Sequence, residues 1–185
     1  MELLRKTTSE NKGLDEDSSG KKELFEKGRI HPANFYKDEW SFIEDPRTRE
    51  NIAYHIQYLE FCICLYNQYA IYFTIESLLC KNIMATIAVI IESALFDMVN
   101  QASKKANFNF DEKRDFLSRI DMAFDMELID MDMKDAFHDL RKLRNRIHLS
   151  GAEEREYSAY SVEEANKYIK ILDKFREINT KNHLG

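Results

Sequence analysis

Glycine and proline are scarce in this chain. Of its 185 residues, 5 are glycine and 2 are proline, where average usage of about 7% and 5% would supply roughly 13 and 9. Both prolines, Pro32 and Pro46, stand in the first quarter, and no glycine occurs between Gly28 and Gly151. Tight turns between strands lean on these two residues. The 104 residues from Arg47 to Ser150, which contain neither, argue against a β-rich fold and rule out glycine loops of the Rossmann or P-loop type. Cys62, Cys64 and Cys80 are too few, and odd in number, for a disulfide framework. Excess basic charge is missing too: the net charge of -6 does not suit a non-specific nucleic-acid binder, though it leaves room for a local basic site. The most apolar run, Ile83 to Ile91, falls short of the ~20 residues that span a bilayer. The start, Met1-Glu2-Leu3-Leu4-Arg5-Lys6, lacks the apolar core of a signal peptide. A cytoplasmic protein with no membrane partner is the expectation.

What is present is helical periodicity. Residues 1–30 are polar and read as a flexible N-terminal arm, and 31–185 read as one helical domain, with Trp40 and Phe42 pinning its first segment. Asp45-Pro46 has the form of an N-cap followed by proline at the first helical position. Ile52, Ile56, Leu59, Ile63, Tyr66, Ala70 and Phe73 then follow at alternating spacings of four and three, a heptad seam for packing on another long helix. A second helix carries Ile83, Ile87, Ile90, Ala94 and Met98 and ends near Lys104; the break between the two is placed near Lys81-Asn82. Asp111 is expected to open a shorter helix with Phe116, Ile120, Ala123 and Phe124. After a turn near Leu128 to Asp130, Met133, Phe137, Leu140, Leu143 and Ile147 face inward on the next helix, which Ser150-Gly151 stops. Ser161-Val162-Glu163-Glu164 reads as a capping box for a last helix facing inward through Val162, Ala165, Ile169, Leu172 and Phe175. The predicted fold is all-α, an up-and-down bundle of about five helices with two long antiparallel ones.

The densest functional pattern is Arg141-Lys142-Leu143-Arg144-Asn145-Arg146-Ile147-His148. Four basic side chains and a histidine follow a stretch, residues 121–139, that holds seven carboxylates and one lysine. On one helix, Arg141, Arg144, Asn145 and His148 share a polar stripe beside the apolar one. Arginine's planar fork holds phosphate oxygens, histidine gives or takes a proton near neutrality, and asparagine can orient either. Together they suit phosphodiester cleavage without a metal. Arg141 and His148 lie ~10.5 Å apart along the axis, so a two-fold dimer that joins two such faces would complete the groove. The same stripe also suits a surface helix whose terminal cations complement the macrodipole. Glu92, inside an apolar helix, needs a partner if buried, and an arginine of the 141–148 segment is the candidate.

Other patterns are weaker. Asp130, Asp132 and Asp135 lack the glycine and terminal glutamate of a calcium loop, so capping and solvation explain them better. Asp135 and His138 form half of a di-metal pattern with no second half. Cys62 and Cys64 diverge by about 200° on a helix and read as buried thiols. No metal and no cofactor is expected. Tyr54, Tyr58, Tyr66, Tyr69 and Tyr72 read as core and interface.

The Arg141–His148 segment resembles the signature of the HEPN superfamily, an arginine followed after four to six residues by a histidine near a helix end, often with an Arg-Asn pair. Arg141 meets that spacing. Arg144-Asn145 supplies the pair, one residue short of the commonest Arg-Asn-x-x-x-His form, so the motif arginine stays open between the two. The likeness spans roughly residues 82 to 175. It takes in Ile90-Ile91-Glu92-Ser93-Ala94-Leu95, similar to the family's glutamate-bearing helix, and Phe116-Leu117-Ser118-Arg119-Ile120-Asp121, similar to HEPN-like and mannitol-operon-repressor-like proteins. The resemblance implies a homodimeric bundle. It also implies a metal-independent ribonuclease, in the family often a toxin or defence component, with RNA as substrate and an antitoxin or regulatory protein as partner. His148 would be the general acid/base, Arg141 and Arg144 phosphate ligands, and Asn145 their orienting group, with Glu92 and Arg146 in support. The alternative it implies is a non-catalytic regulatory domain that binds protein or nucleotide.

Overall fold

The computed structural model describes residues 1, 3, 4, 30–107, 115–145 and 160–184. These residues form six helices and no strand: α1 (Ala33–Glu39), α2 (Pro46–Gln68), α3 (Phe73–Lys105), α4 (Phe116–Asp125), α5 (Met131–Asn145) and α6 (Val162–Leu184). The fold is an all-α bundle. Its sixth helix, the short α1, precedes the pinning residues Trp40 and Phe42, which are both buried.

The organising element is α3. Ile83, Met84, Ile87, Ala88, Ile90, Ile91, Ala94, Leu95 and Val99 are all fully buried, which covers far more than the one face expected from Ile83, Ile87, Ile90, Ala94 and Met98. A helix apolar all round belongs at the centre, and α3 packs against α2, α4, α5 and α6. By length and composition it could cross a membrane: its most apolar 18-residue window has a mean hydropathy of 1.7. Here 56% of that window is buried inside the bundle.

Long helices α2 and α3 run antiparallel. Tyr66 donates to Glu76 at 2.6 Å, Asn82 to Tyr58 at 2.6 Å, and the Asp45 N–H to Asp97 at 3.1 Å, so one number rises as the other falls. The connection corrects the predicted break. The helix ends at Gln68, and Tyr69 to Tyr72 make the turn, not Lys81-Asn82. The heptad seam holds through Tyr66 and then fails, because Ala70 lies in the turn and Phe73 is 82% exposed. Buried Ile71 anchors this turn instead. Of the five tyrosines in this region, only Tyr66 is core; Tyr54, Tyr58, Tyr69 and Tyr72 are exposed.

Local signals were reliable at the starts of α2 and α6. Pro46 is the first residue of α2, and the Asp45 side chain accepts from the Thr48 N–H at 2.7 Å. The Ser161 hydroxyl accepts from the Glu164 N–H at 3.2 Å, and Glu164 reaches back to the Ser161 N–H at 3.4 Å. Helix α4 starts at Phe116 rather than Asp111; its cap is Asp115, which accepts from the Ser118 N–H at 2.9 Å. Val162, Ala165, Ile169, Leu172 and Phe175 are buried on α6. The Phe175 ring lies 5.5 Å from Phe137 and 6.2 Å from both Trp40 and Phe42, which ties α5 and α6 to the chain after α1. All three cysteines are buried free thiols, and burial pushes Cys80 up to about 12.

A helix end without glycine has a cost. Helix α4 closes with the Leu128 N–H on the Ala123 carbonyl and the Glu127 N–H on the Phe124 carbonyl, both at 2.9 Å. This is a Schellman closure, whose left-handed position usually holds glycine. Glu127 takes it at φ 57°. Glu127→Gly should therefore raise stability by roughly 1 kcal/mol, measured by urea unfolding. The caps predict a pH dependence. Thr48 hydrogen bonds hold Asp45 below the usual carboxylate range, the Ser118 N–H does so for Asp115, and the Met133 N–H followed by Lys174 for Asp130. Each lowered group contributes stability that is complete above its unfolded value of about 3.9 and is lost as pH falls through its folded value. Melting temperature should drop below about pH 4, and less steeply when the three aspartates are replaced by alanine.

Candidate functional site

The described part of the candidate stripe, Arg141, Arg144 and Asn145, lies on α5. Asp130 accepts from the Met133 N–H at 2.8 Å and holds Lys174 of α6 at 3.0 Å, so it is a helix cap and a tether. Met133, Ala136, Phe137 and Leu140 are buried, which turns the intervening charged residues toward the surface. Among the predicted site residues, Arg144 and Asn145 are exposed at the last turn of α5, and Arg141 is half-buried. Arg146 and His148 lie outside the described residues, as do Ile147 and the Ser150-Gly151 stop.

Glu92 gathers the site. It sits on α3 between buried Ile91 and Ala94, and its side chain keeps 22% exposure. One carboxylate oxygen lies 3.4 Å from Nη2 of Arg144 on α5, and the other lies 3.6 Å from Nη1 of Arg119 on α4. The expected pairing of Glu92 with an arginine of the 141–148 segment is therefore made, by Arg144. Arg119 was not anticipated. It stands next to inward-facing Ile120 on α4, and its guanidinium lies 4.9 Å from the Phe96 ring centroid, one turn beyond Glu92 on α3. The available signal was a lone arginine flanking the Phe116, Ile120 and Ala123 stripe, the position from which a long side chain reaches along a helix interface.

Among the described residues, the charges of this region do not cancel. One carboxylate faces two guanidiniums, and Arg141 adds a third cation whose buried Nε has no partner. Arg141 and Arg119 also assist the Ser118 hydrogen bonds in lowering Asp115. The Glu92 to Arg144 separation exceeds the 2.7–2.9 Å of a tight charge-assisted hydrogen bond, and the Arg144 side chain is 45% exposed. A phosphate or carboxylate arriving from solvent could engage Arg144 without first breaking a short bidentate pair.

Beside this cluster, Asp121 clamps α4 to α5. It lies 2.9 Å from Lys134 and 3.3 Å from His138, and the Lys134 hydrogen bond lowers its carboxyl. His138 is thus engaged with Asp121, and Asp135 is exposed. Among the described residues, no group of three or more histidine, cysteine or acidic side chains is placed to hold a metal ion.

Removing Glu92 takes one carboxylate away from Arg119, whose side chain is 16% exposed, at a three-helix junction. Glu92→Ala should destabilise the protein by about 1–3 kcal/mol. Arg144→Ala, at an exposed position, should cost under about 1 kcal/mol. Urea unfolding of both variants checks the difference. Comparison with known proteins finds no matching family model, no matching curated protein and no matching solved structure, so function must be read from these residues.

Proposed function

We propose that the chain is a cytoplasmic, HEPN-like, metal-independent endoribonuclease, a toxin or defence component that acts as a homodimer. The observation that carries this reading is the Glu92 junction, where one carboxylate of α3 collects Arg119 and Arg144 beside Arg141 and Asn145. In an acidic chain this concentrates positive charge at the last turn of α5, where Arg144 and Asn145 are exposed. Arginine clamps stabilise the charge of a phosphoryl transition state, and they act most strongly when fixed beforehand.

The reaction is an internal transesterification. The ribose 2′-oxygen attacks phosphorus, the bond from phosphorus to the 5′-oxygen breaks, and a 2′,3′-cyclic phosphate forms. A base takes the 2′-hydroxyl proton and an acid protonates the leaving 5′-oxygen. His148 would serve one of these steps, and the second copy's equivalent would serve the other across a dimer groove. Arg141 and Arg144 would hold the non-bridging oxygens, with Asn145 orienting them and Arg146 in support. Glu92 is a positioning residue, acting through Arg144.

A second reading has its own support. Arg144 is already ion-paired with Glu92, as a purely structural arginine would be, and the same face could bind a nucleotide or a regulatory protein without cleavage. One assay separates the two. Purified protein incubated with RNA in EDTA should generate 2′,3′-cyclic phosphate ends. His148→Ala should slow this by at least about 100-fold with unchanged melting temperature. Equal background from wild type and His148→Ala overturns the nuclease reading.

A further inference from the structure

A second site lies on the opposite set of elements, between α1, α2 and α6, and shares no residue with the Glu92 junction. It is a cavity of about 450 Å³, within the range of small-molecule sites. Its floor is apolar: Trp40, Ile56, Ile63 and Leu172 line it and are each at most 2% exposed. Its walls carry three carboxylates, Glu39, Glu60 and Asp173, and one guanidinium, Arg176.

Most of these charges are mutually engaged. Arg176 lies 2.6 Å from Glu39 and 3.7 Å from Asp173, and Asp173 also lies 2.8 Å from the Met1 ammonium. Glu60 is different. It accepts from the His31 N–H, the His31 ring and the Tyr36 hydroxyl, each at 2.7 Å, and none of these is a permanent cation. Among the described residues, and with Met1 counted, the wall keeps one carboxylate in excess. Burial, then the hydrogen bond to Glu60, raises the Tyr36 phenol far above its ordinary value, so Tyr36 stays a neutral donor and brings no compensating charge.

One further feature points to an occupant. At the rim, Phe35 is 45% exposed, although its ring stacks on His31 at a centroid distance of 4.4 Å. An exposed aromatic pair beside an excess carboxylate attracts a cation and an apolar body together.

We infer that this cavity binds a small amphipathic organic cation: an ammonium that meets Glu60 and an apolar or aromatic body on the Trp40 and Ile63 floor. Trp40 is the only tryptophan in the chain, so its fluorescence reports occupancy directly.

Phenylalaninol carries both groups. 3-Phenyllactate has similar size and a hydroxyl but the opposite charge. Titration of the full chain with phenylalaninol should give a saturable change in Trp40 emission, and phenyllactate should give none at the same concentrations. Calorimetry should show affinity for phenylalaninol reduced about tenfold in Glu60→Gln and reduced in Phe35→Ala, whose rim position spares the fold. Equal responses to the two compounds, no response to either, or unchanged affinity in both variants overturns the assignment. Loss of ribonuclease activity in His148→Ala has no bearing on it.

Discussion

The bundle depends on covering α3. Its 33 residues present large aliphatic side chains in nearly every direction, and burying each one contributes roughly 1.5–3 kcal/mol. No single partner helix can cover such a surface, so α2, α4, α5 and α6 all pack on it. Along the chain a long antiparallel partner, α2, comes first, and α4, α5 and α6 then cover what it leaves open.

A helix enclosed in this way cannot leave its polar residues to water. Thr86 and Ser93 donate to the carbonyls of Asn82 and Val89, one turn back. Asp97, 5% exposed, accepts from the Glu44 N–H at 2.8 Å and the Asp45 N–H at 3.1 Å, and Gln101 donates to it as well. It thereby fixes the point from which α2 departs. Glu92 meets the same demand by taking arginines from α4 and α5. The difference in partners separates their consequences. Backbone N–H groups make Asp97 an anchor, while guanidiniums make Glu92 a collector of charge, so the candidate site is coupled to the scaffold through one carboxylate.

Much of the helix pattern was legible because it is local. The Asp45-Pro46 start, the Ser161 to Glu164 box and the inward face of α6 depend on residues three or four apart, whose contacts a helix itself dictates. The turn between α2 and α3 was not legible. Tyr69 to Tyr72 contain no turn-forming residue, Phe73 enters α3 at φ 53° without being glycine, and the heptad spacing runs straight through the corner. Only the packing of Ile71 and of the two long helices places it. The start of α4 was not legible either: Asp111 and Asp115 both have capping chemistry, and the helix starts at Phe116 with Asp115 as its cap. At the candidate site, the Glu92 to Arg144 pairing could be anticipated from a lone carboxylate in an apolar helix. Arg119 could not, since nothing near it in sequence marks it as Glu92's partner.

The sequence by itself determined that the protein is all-helical, which residues face inward over most of its length, and that basic charge collects near residue 144. Those properties follow from the scarcity of chain breakers, from periodicity and from composition, which need no knowledge of distant contacts. Tertiary structure alone decided that α3 is central, that Glu92 joins Arg119 to Arg144, and that Glu60, Tyr36, Trp40 and Arg176 line one cavity. Those residues lie up to 140 positions apart in the chain. Their meeting is set by how the apolar faces of separate helices are buried together, which no local pattern encodes.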